Sequence, residues 1–318
     1  MPSVPPPLTT PELPDGAVAR GRPGAVRDIL PPWKWWAAPA AIVLGVVLGS
    51  VGDLIVSLIG GASGASVSHP PPAVNIAADI LFDLGFVAAA IYIASLLGRV
   101  RLSEFGFRRA SLVRVLWMLP LGAIVYFIAT AVYASLLGLH GNEQLPTGLG
   151  STSDTAAMIG VGVFVTVIAP ICEELFFRGF LFGVLRSWLA PQWWGPWAAA
   201  IVTGFAFGGA HAGSAAAKYL VPLAFLGFVL CILRWKTGSL YPGMALHSFN
   251  NSLAFGIDEL HWGAAKLVAL ALLALGAITA IAGPLGWREP AVTVDGPDAR
   301  GGPPAVAAAA GSVVPPGA

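Results

Sequence analysis

Apolar residues in this chain gather into long runs instead of alternating with polar ones. A bilayer core of roughly 30 Å takes about 20 mostly apolar helical residues. Eight stretches approach that length: residues 35–59, 74–97, 115–139, 156–185, 194–211, 215–233, 240–257 and 264–285. The pattern predicts an all-α fold, a polytopic membrane helical bundle of about eight transmembrane helices. Between the second and third runs lies an arginine-rich connector, residues 99–114. Its Leu102, Phe105, Phe107 and Leu112 predict an interfacial segment lying on the headgroups. Residues 1–30 carry repeated proline and residues 288–318 are rich in Pro, Gly and Ala, so both read as disordered tails around a membrane domain spanning 31–287. The opening MPSVPPPLTT lacks the charged start and short apolar core of a signal peptide, so the first run is expected to stay as an anchor.

Composition supports the membrane reading. Of 318 residues, 56% are hydrophobic and 10% charged, whereas charged side chains make up about a quarter of soluble domains. A net charge of +1 without a basic stripe excludes a nucleic-acid surface. Cys172 and Cys231 both sit inside apolar runs, which leaves no disulfide framework and no four-cysteine zinc site. Lysine and arginine accumulate in cytoplasmic loops. With both termini placed in the cytoplasm, the tails, the 99–114 connector, Lys34, Arg186, Arg234 and Lys236 all fall inside. Only Lys218 and Lys266 fall opposite, and Arg178 lies within the fourth run. Arginine outnumbers lysine and Ala, Gly and Pro abound, the mark of a GC-rich bacterial gene, so the expected site is the bacterial cytoplasmic membrane. Trp33, Trp35, Trp36, Trp193, Trp194 and Trp262 near run ends fit interfacial belts.

Polar side chains inside these runs are costly unless paired or turned to a cavity, which makes them functional candidates. They concentrate in three places. The fourth run carries Glu173, Glu174 and Arg178. Glu174 and Arg178, at i and i+4, face one another as an ion pair, whereas Glu173 projects about 100° away and is free to address another helix, water or a substrate. Pro170 just upstream removes a backbone hydrogen bond and loosens the helix. The fifth run ends with Phe207 and His211 on one face, beside Gly208 and Gly209. The seventh opens with His247 and Asn251 on one face, while Asn250 is expected to point elsewhere.

Together these segments supply a carboxylate, two imidazoles and an amide from three helices, more than interhelical hydrogen bonding alone requires. A buried carboxylate deprotonates water and later protonates a leaving amine. Neutral His and Asn orient the water or stabilise an oxyanion. Glu173 suits the first role and His211, His247 and Asn251 the second. Proton or ion transport draws on the same residue types.

The order EExxxR, FxxxH, HxxxN resembles the CPBP family, which includes the CAAX proteases and bacteriocin-processing enzymes. The resemblance covers roughly residues 75–260, with the motif core at about 150–260, and the connector LSEFGFRRAS is similar to the segment preceding the family's core helices. It implies an intramembrane endopeptidase acting on a membrane-embedded or lipid-tethered peptide, prenylated for some members. Glu173 would activate water, His211 would position it, and His247 with Asn251 would stabilise the oxyanion. Glu174, Arg178 and Phe207 would be supports. The family is described as glutamate-dependent or metal-dependent. The favoured reading requires no cofactor. The rival is a zinc ion held by Glu173, His211 and His247, although the chain has no HExxH helix pair.

Other readings use the same residues differently. A non-catalytic immunity or secretion-partner protein of the same family would keep the polar cluster for packing. A transporter would predict an internal repeat or paired broken helices, and neither is visible. Gly61-Ala62-Ser63-Gly64 resembles a rhomboid GxSG but falls in a Gly- and Ser-rich loop, and Cys172 reads as a small buried hydrophobe. Asp53, Asp79 and Asp83, the last two on one face, read as a proton relay or as helix ends near water. His69, His140 and His261 read as solvated loop residues. One geometric expectation follows from the enzyme reading: His211 and Glu173 must come together.

Overall fold

The computed structural model describes residues 30–64, 70–139, 155–212 and 214–287. Both predicted tails, His69 and His140 lie outside these residues, apart from Leu30. Among the described residues the chain is helical, and the one extended feature is an isolated bridge between Ala212 and Ala215. The elements are α1 (Ala37–Ala62), α2 (Pro72–Leu97), the short α3 (Leu102–Phe105), α4 (Leu112–Leu136), the long α5 (Thr155–Trp188), α6 (Gly195–Ala210), α7 (Leu220–Thr237), α8 (Tyr241–Ala254) and α9 (Ala264–Trp287).

Each predicted run coincides with a helix, and among the described residues six of these helices are by length and composition apolar enough to cross a membrane. The two that fall short are the ones carrying the second and third motifs. Helix α6 has 16 residues, about 24 Å of rise, and α8 has 14 before a π-helical turn at Phe255–Glu259. Their polar content and early ends set them apart from their neighbours. The GASG tetrapeptide is likewise not a loop: Gly61 and Ala62 close α1, and Ser63 donates to the Gly60 carbonyl.

Helices α1 and α2 form a hairpin closed by glycines. A Cβ on Gly85 would lie 2.5 Å from the backbone nitrogen of Gly49, so only glycine permits this approach. Packing against the rest of the bundle is uneven. The most apolar window of α5 is 56% buried, against 11% for α1 and 6% for α4. Helix α5 is therefore the central element, and α1 and α4 present most of their surface outward.

Of the four apolar connector residues expected at an interface, Phe105 and Phe107 turn inward while Leu112 is exposed. Phe105 and Phe107 are fully buried, with the Phe105 ring 4.8 Å from Trp33 and 6.2 Å from Phe180. Two aromatic rings gain more by plugging the end of the bundle than by lying at an interface. Gly106 makes the reversal, with φ at +105° and the Arg234 side chain packed against its Cα. Its carbonyl accepts the Leu240 N–H at 2.9 Å, and Ser187 Oγ donates to the Pro31 carbonyl at 2.7 Å. The connector, Arg186 and Arg234 thereby gather at one end of the bundle, as the charge pattern requires.

Candidate functional site

Helix α5 is not a regular α-helix where its polar residues lie. A π-helical turn at Phe164–Ile168 precedes the α-helical Ala169–Glu173, and a second spans Glu174–Leu181. The cause is local. Pro170 has no N–H and the helix slips by one residue at the π turn, so the carbonyls four and five residues before it, Thr166 and Val165, lose their partners. Side chains of α8 take both. Ser248 Oγ donates to the Thr166 carbonyl at 2.6 Å, and Asn251 Nδ2 to the Val165 carbonyl at 2.8 Å. This sutures the second half of the site to the first.

The charged groups occupy two environments. Glu174 and Arg178 are fully buried and paired, Oε1 to Nη1 at 3.0 Å. The guanidinium lies 4.1 Å from the Phe207 ring centroid, a desolvated cation–π contact. Glu174 Oε2 packs onto Gly243, where a Cβ would come within 2.5 Å of it. His247, 2% exposed, lies between both carboxylates. Its Nδ1 is 3.2 Å from Glu174 Oε1 and its Nε2 is 3.7 Å from Glu173 Oε2.

Glu173 differs from its neighbour. Its side chain is 17% exposed and borders a cavity of about 660 Å³, which His211, Asn250 and Asn251 also line. His211 is the residue on which α6 ends, and Glu173 and His211 line the same cavity. His211 Nδ1 lies 2.8 Å from the Phe207 carbonyl. A carbonyl only accepts, so Nδ1 carries the hydrogen and Nε2 of the neutral ring is an acceptor. Phe207 is the hub of the cluster, with its ring 4.7 Å from that of His211 and 5.5 Å from that of His247.

Three residues differ from their sequence reading. Asn250 does not point elsewhere: it lines the cavity, and its Nδ2 donates to Asn251 Oδ1 at 3.3 Å. The cavity is wide enough for adjacent positions of α8 to flank it. Asp79 and Asp83 are not helix ends near water. They line the same cavity from α2, which packs against α5, together with Phe82 and Phe86. Their i, i+4 spacing inside an apolar run was the signal that put them on one face. Ser248 and Thr166 carried no such signal, since a buried hydroxyl in a helix is commonplace.

The zinc reading is not matched by the geometry. Among the described residues, no three His, Cys, Asp or Glu side chains are gathered as a metal-ligating group, so Glu173, His211 and His247 do not form one here. His247 already has both ring nitrogens turned to carboxylates.

Comparison with known proteins meets this geometry at its centre. Residues 155–253 match the family described as Type II CAAX prenyl endopeptidase Rce1-like, an interval that contains all three motifs. The match covers about a third of the chain and supports the resemblance to the CPBP/CAAX protease family over that segment. The chain is also similar to an Escherichia coli protein described as an uncharacterized 24.3 kDa protein, with 27% identity over 135 residues, which are 42% of this chain and 60% of that one. The match thus spans less than two thirds of that relative's length. No solved structure matches the chain significantly.

Proposed function

We propose that the protein is an intramembrane endopeptidase that hydrolyses a peptide bond of a membrane-embedded or lipid-tethered substrate, with Glu173 activating the water. One observation carries this reading: of two adjacent glutamates, Glu174 is sealed in an ion pair while Glu173 borders the cavity that His211 and Asn251 also line.

In the proposed reaction Glu173 and His211 Nε2 are both hydrogen-bond acceptors at the cavity wall. A water donating to each has its lone pair free for a substrate carbonyl. Its oxygen bonds to the carbonyl carbon as one proton passes to Glu173. Asn251 keeps one amide hydrogen on the Val165 carbonyl and offers the second to the oxyanion. Collapse of the tetrahedral intermediate breaks the C–N bond, and Glu173 returns its proton to the leaving amine. His247, whose Nδ1 donates to Glu174, faces Glu173 across 3.7 Å, which supports a role in orienting the base when the ring is protonated at Nε2 and in this reading leaves the oxyanion to Asn251. No step is routed through a metal.

The test is cleavage of a panel of membrane-tethered peptides, prenylated and unprenylated, by purified wild type and Glu173→Gln, each with and without chelator. Cleavage by the wild type and a loss of about 10²–10⁴-fold in the isosteric variant, both indifferent to chelator, is the expected result. Chelator-sensitive cleavage restored by zinc overturns the metal-free mechanism. A folded wild type that cleaves nothing in the panel, indistinguishable from Glu173→Gln, favours the non-catalytic reading.

A further inference from the structure

We propose that Ser248, which is fully buried, is a positioning residue: its hydroxyl replaces the N–H that Pro170 lacks and so holds His247 against Glu173. The inference rests on the proposed hydrolysis for its consequence in rate, but its structural premise stands independently.

A proline inside a helix leaves the carbonyl four residues earlier without its usual donor, and here that carbonyl is Thr166. The helix has also slipped into a π register at this point, with the Ala169 N–H donating to the Phe164 carbonyl five residues back. That one-residue slip leaves a carbonyl over in addition to the one Pro170 fails, and the two that side chains take are Val165 and Thr166. Val165 lines the cavity and Thr166 is buried beside it, in a bundle where an unsatisfied buried carbonyl is costly. Helix α8 answers with two donors of different kinds. Asn251 reaches Val165 and lines the cavity, so its amide serves two purposes. Ser248 reaches Thr166 at 2.6 Å and has no exposed surface, which leaves its hydroxyl a single purpose.

The geometric effect follows from spacing. Ser248 and Asn251 are three residues apart on α8, so their bonds grip α5 over one helical turn and fix both the rotation and the rise of α8 against it. His247 is the residue next to Ser248, and Glu173 lies three residues past Pro170. The bond from Ser248 to Thr166 thus joins the two helices close to where Nε2 of His247 must face Oε2 of Glu173. With one bond gone, α8 pivots about the other, and the imidazole leaves the carboxylate. Thr166 cannot rescue itself, because its own hydroxyl is spent on the Gly162 carbonyl at 2.6 Å.

The device makes a prediction that simple packing does not: the need for the hydroxyl depends on the proline. In a double-mutant cycle, Ser248→Ala in the wild-type background lowers kcat roughly tenfold with KM little changed, the effect of one unsatisfied buried carbonyl. In the Pro170→Ala background, where a backbone N–H is available to Thr166, the same change lowers kcat no more than about twofold. The thermal midpoint in detergent, measured for the same four proteins without substrate, shows the same coupling. Equal effects of Ser248→Ala in both backgrounds, in rate and in midpoint, overturn the proposal. So does an unchanged kcat in the single variant of a wild type that cleaves. Coupling in the midpoint with a wild type that cleaves nothing supports the Ser248–Pro170 device and overturns the enzyme reading, which separates the two.

Discussion

The two walls of the cavity are built on opposite rules. On the α5–α8 wall the buried charges near the cavity are set against one another, Glu174 beside Arg178, Arg178 beside the Phe207 ring and His247 between both glutamates, although Glu173 Oε2 and Glu174 Oε2 lack a hydrogen bond. On the α1–α2 wall the aspartates face the cavity, and Asp83 Oδ2 is buried with no hydrogen-bond partner. The first wall is a closed electrostatic structure that holds one carboxylate out for use. The second is a glycine-closed apolar hairpin whose Asp79 and Asp83 have no salt bridge among the described residues. The difference teaches that the chemistry and the enclosure belong to separate elements. Substitutions on the two walls therefore differ in kind: changes to the paired charges of the first disturb folding and rate together, and changes to the cavity-facing aspartates of the second leave folding alone.

The largest effect is expected from Arg178→Met on the paired wall. The volume is roughly kept, but Glu174 stays buried without its partner, and breaking a buried pair from one side costs about 3–5 kcal/mol. The variant should fail to accumulate as folded protein, or show a sharply lower thermal midpoint in detergent. The double variant Arg178→Met, Glu174→Leu, which removes both charges, should recover much of the loss. A single variant as stable as the wild type would mean that the pair is not what closes this wall.

A smaller and more selective effect is expected from Gly243→Ala. The new methyl would fall 2.5 Å from Glu174 Oε2 and force the carboxylate away, drawing it from His247 while leaving both charges present. Overpacking of this kind costs about 1–3 kcal/mol. Turnover should drop about tenfold or more, by the orientation cost of a displaced brace. Comparing kcat with the thermal midpoint checks this: a midpoint shift with undiminished kcat would remove Glu174 from the chain of support behind Glu173.

How much of this was legible in the sequence follows the same division. Glu173, Glu174, Arg178, His211, His247 and Asn251 stood out because each is a polar residue in an apolar run, where its cost is plain without coordinates. The i, i+4 spacing gave the Glu174–Arg178 pair correctly. Which partner His247 chooses was not legible, since that depends on the rotation of α8, and the rotation depends on Ser248 and Asn251 meeting carbonyls that Pro170 and the π turn free. The burial of Phe105 and Phe107 was hidden for a related reason: an apolar residue in a basic connector looks the same whether it meets lipid or a gap between helix ends. The hairpin glycines and the place of α2 beside the cavity are tertiary facts without a local signature.

The smallest expected effect tests the contrast most directly. Asp83→Asn keeps the size of the side chain and removes its charge on the unpaired wall. If the hairpin only encloses the cavity, no pairing is lost, and a buried group without a partner is replaced by one that is cheaper to bury. The thermal midpoint should then hold or rise slightly, and cleavage should stay within about threefold of wild type, well short of the 10²–10⁴-fold loss expected for a general base. The hairpin joins the chemistry only if Asp83→Asn falls toward the rate of Glu173→Gln while its midpoint is unchanged. That pair of readings would make Asp83 a second participant at the same cavity as Glu173. A loss confined to KM would instead assign the α2 carboxylates to substrate binding, leaving the division between chemistry and enclosure intact.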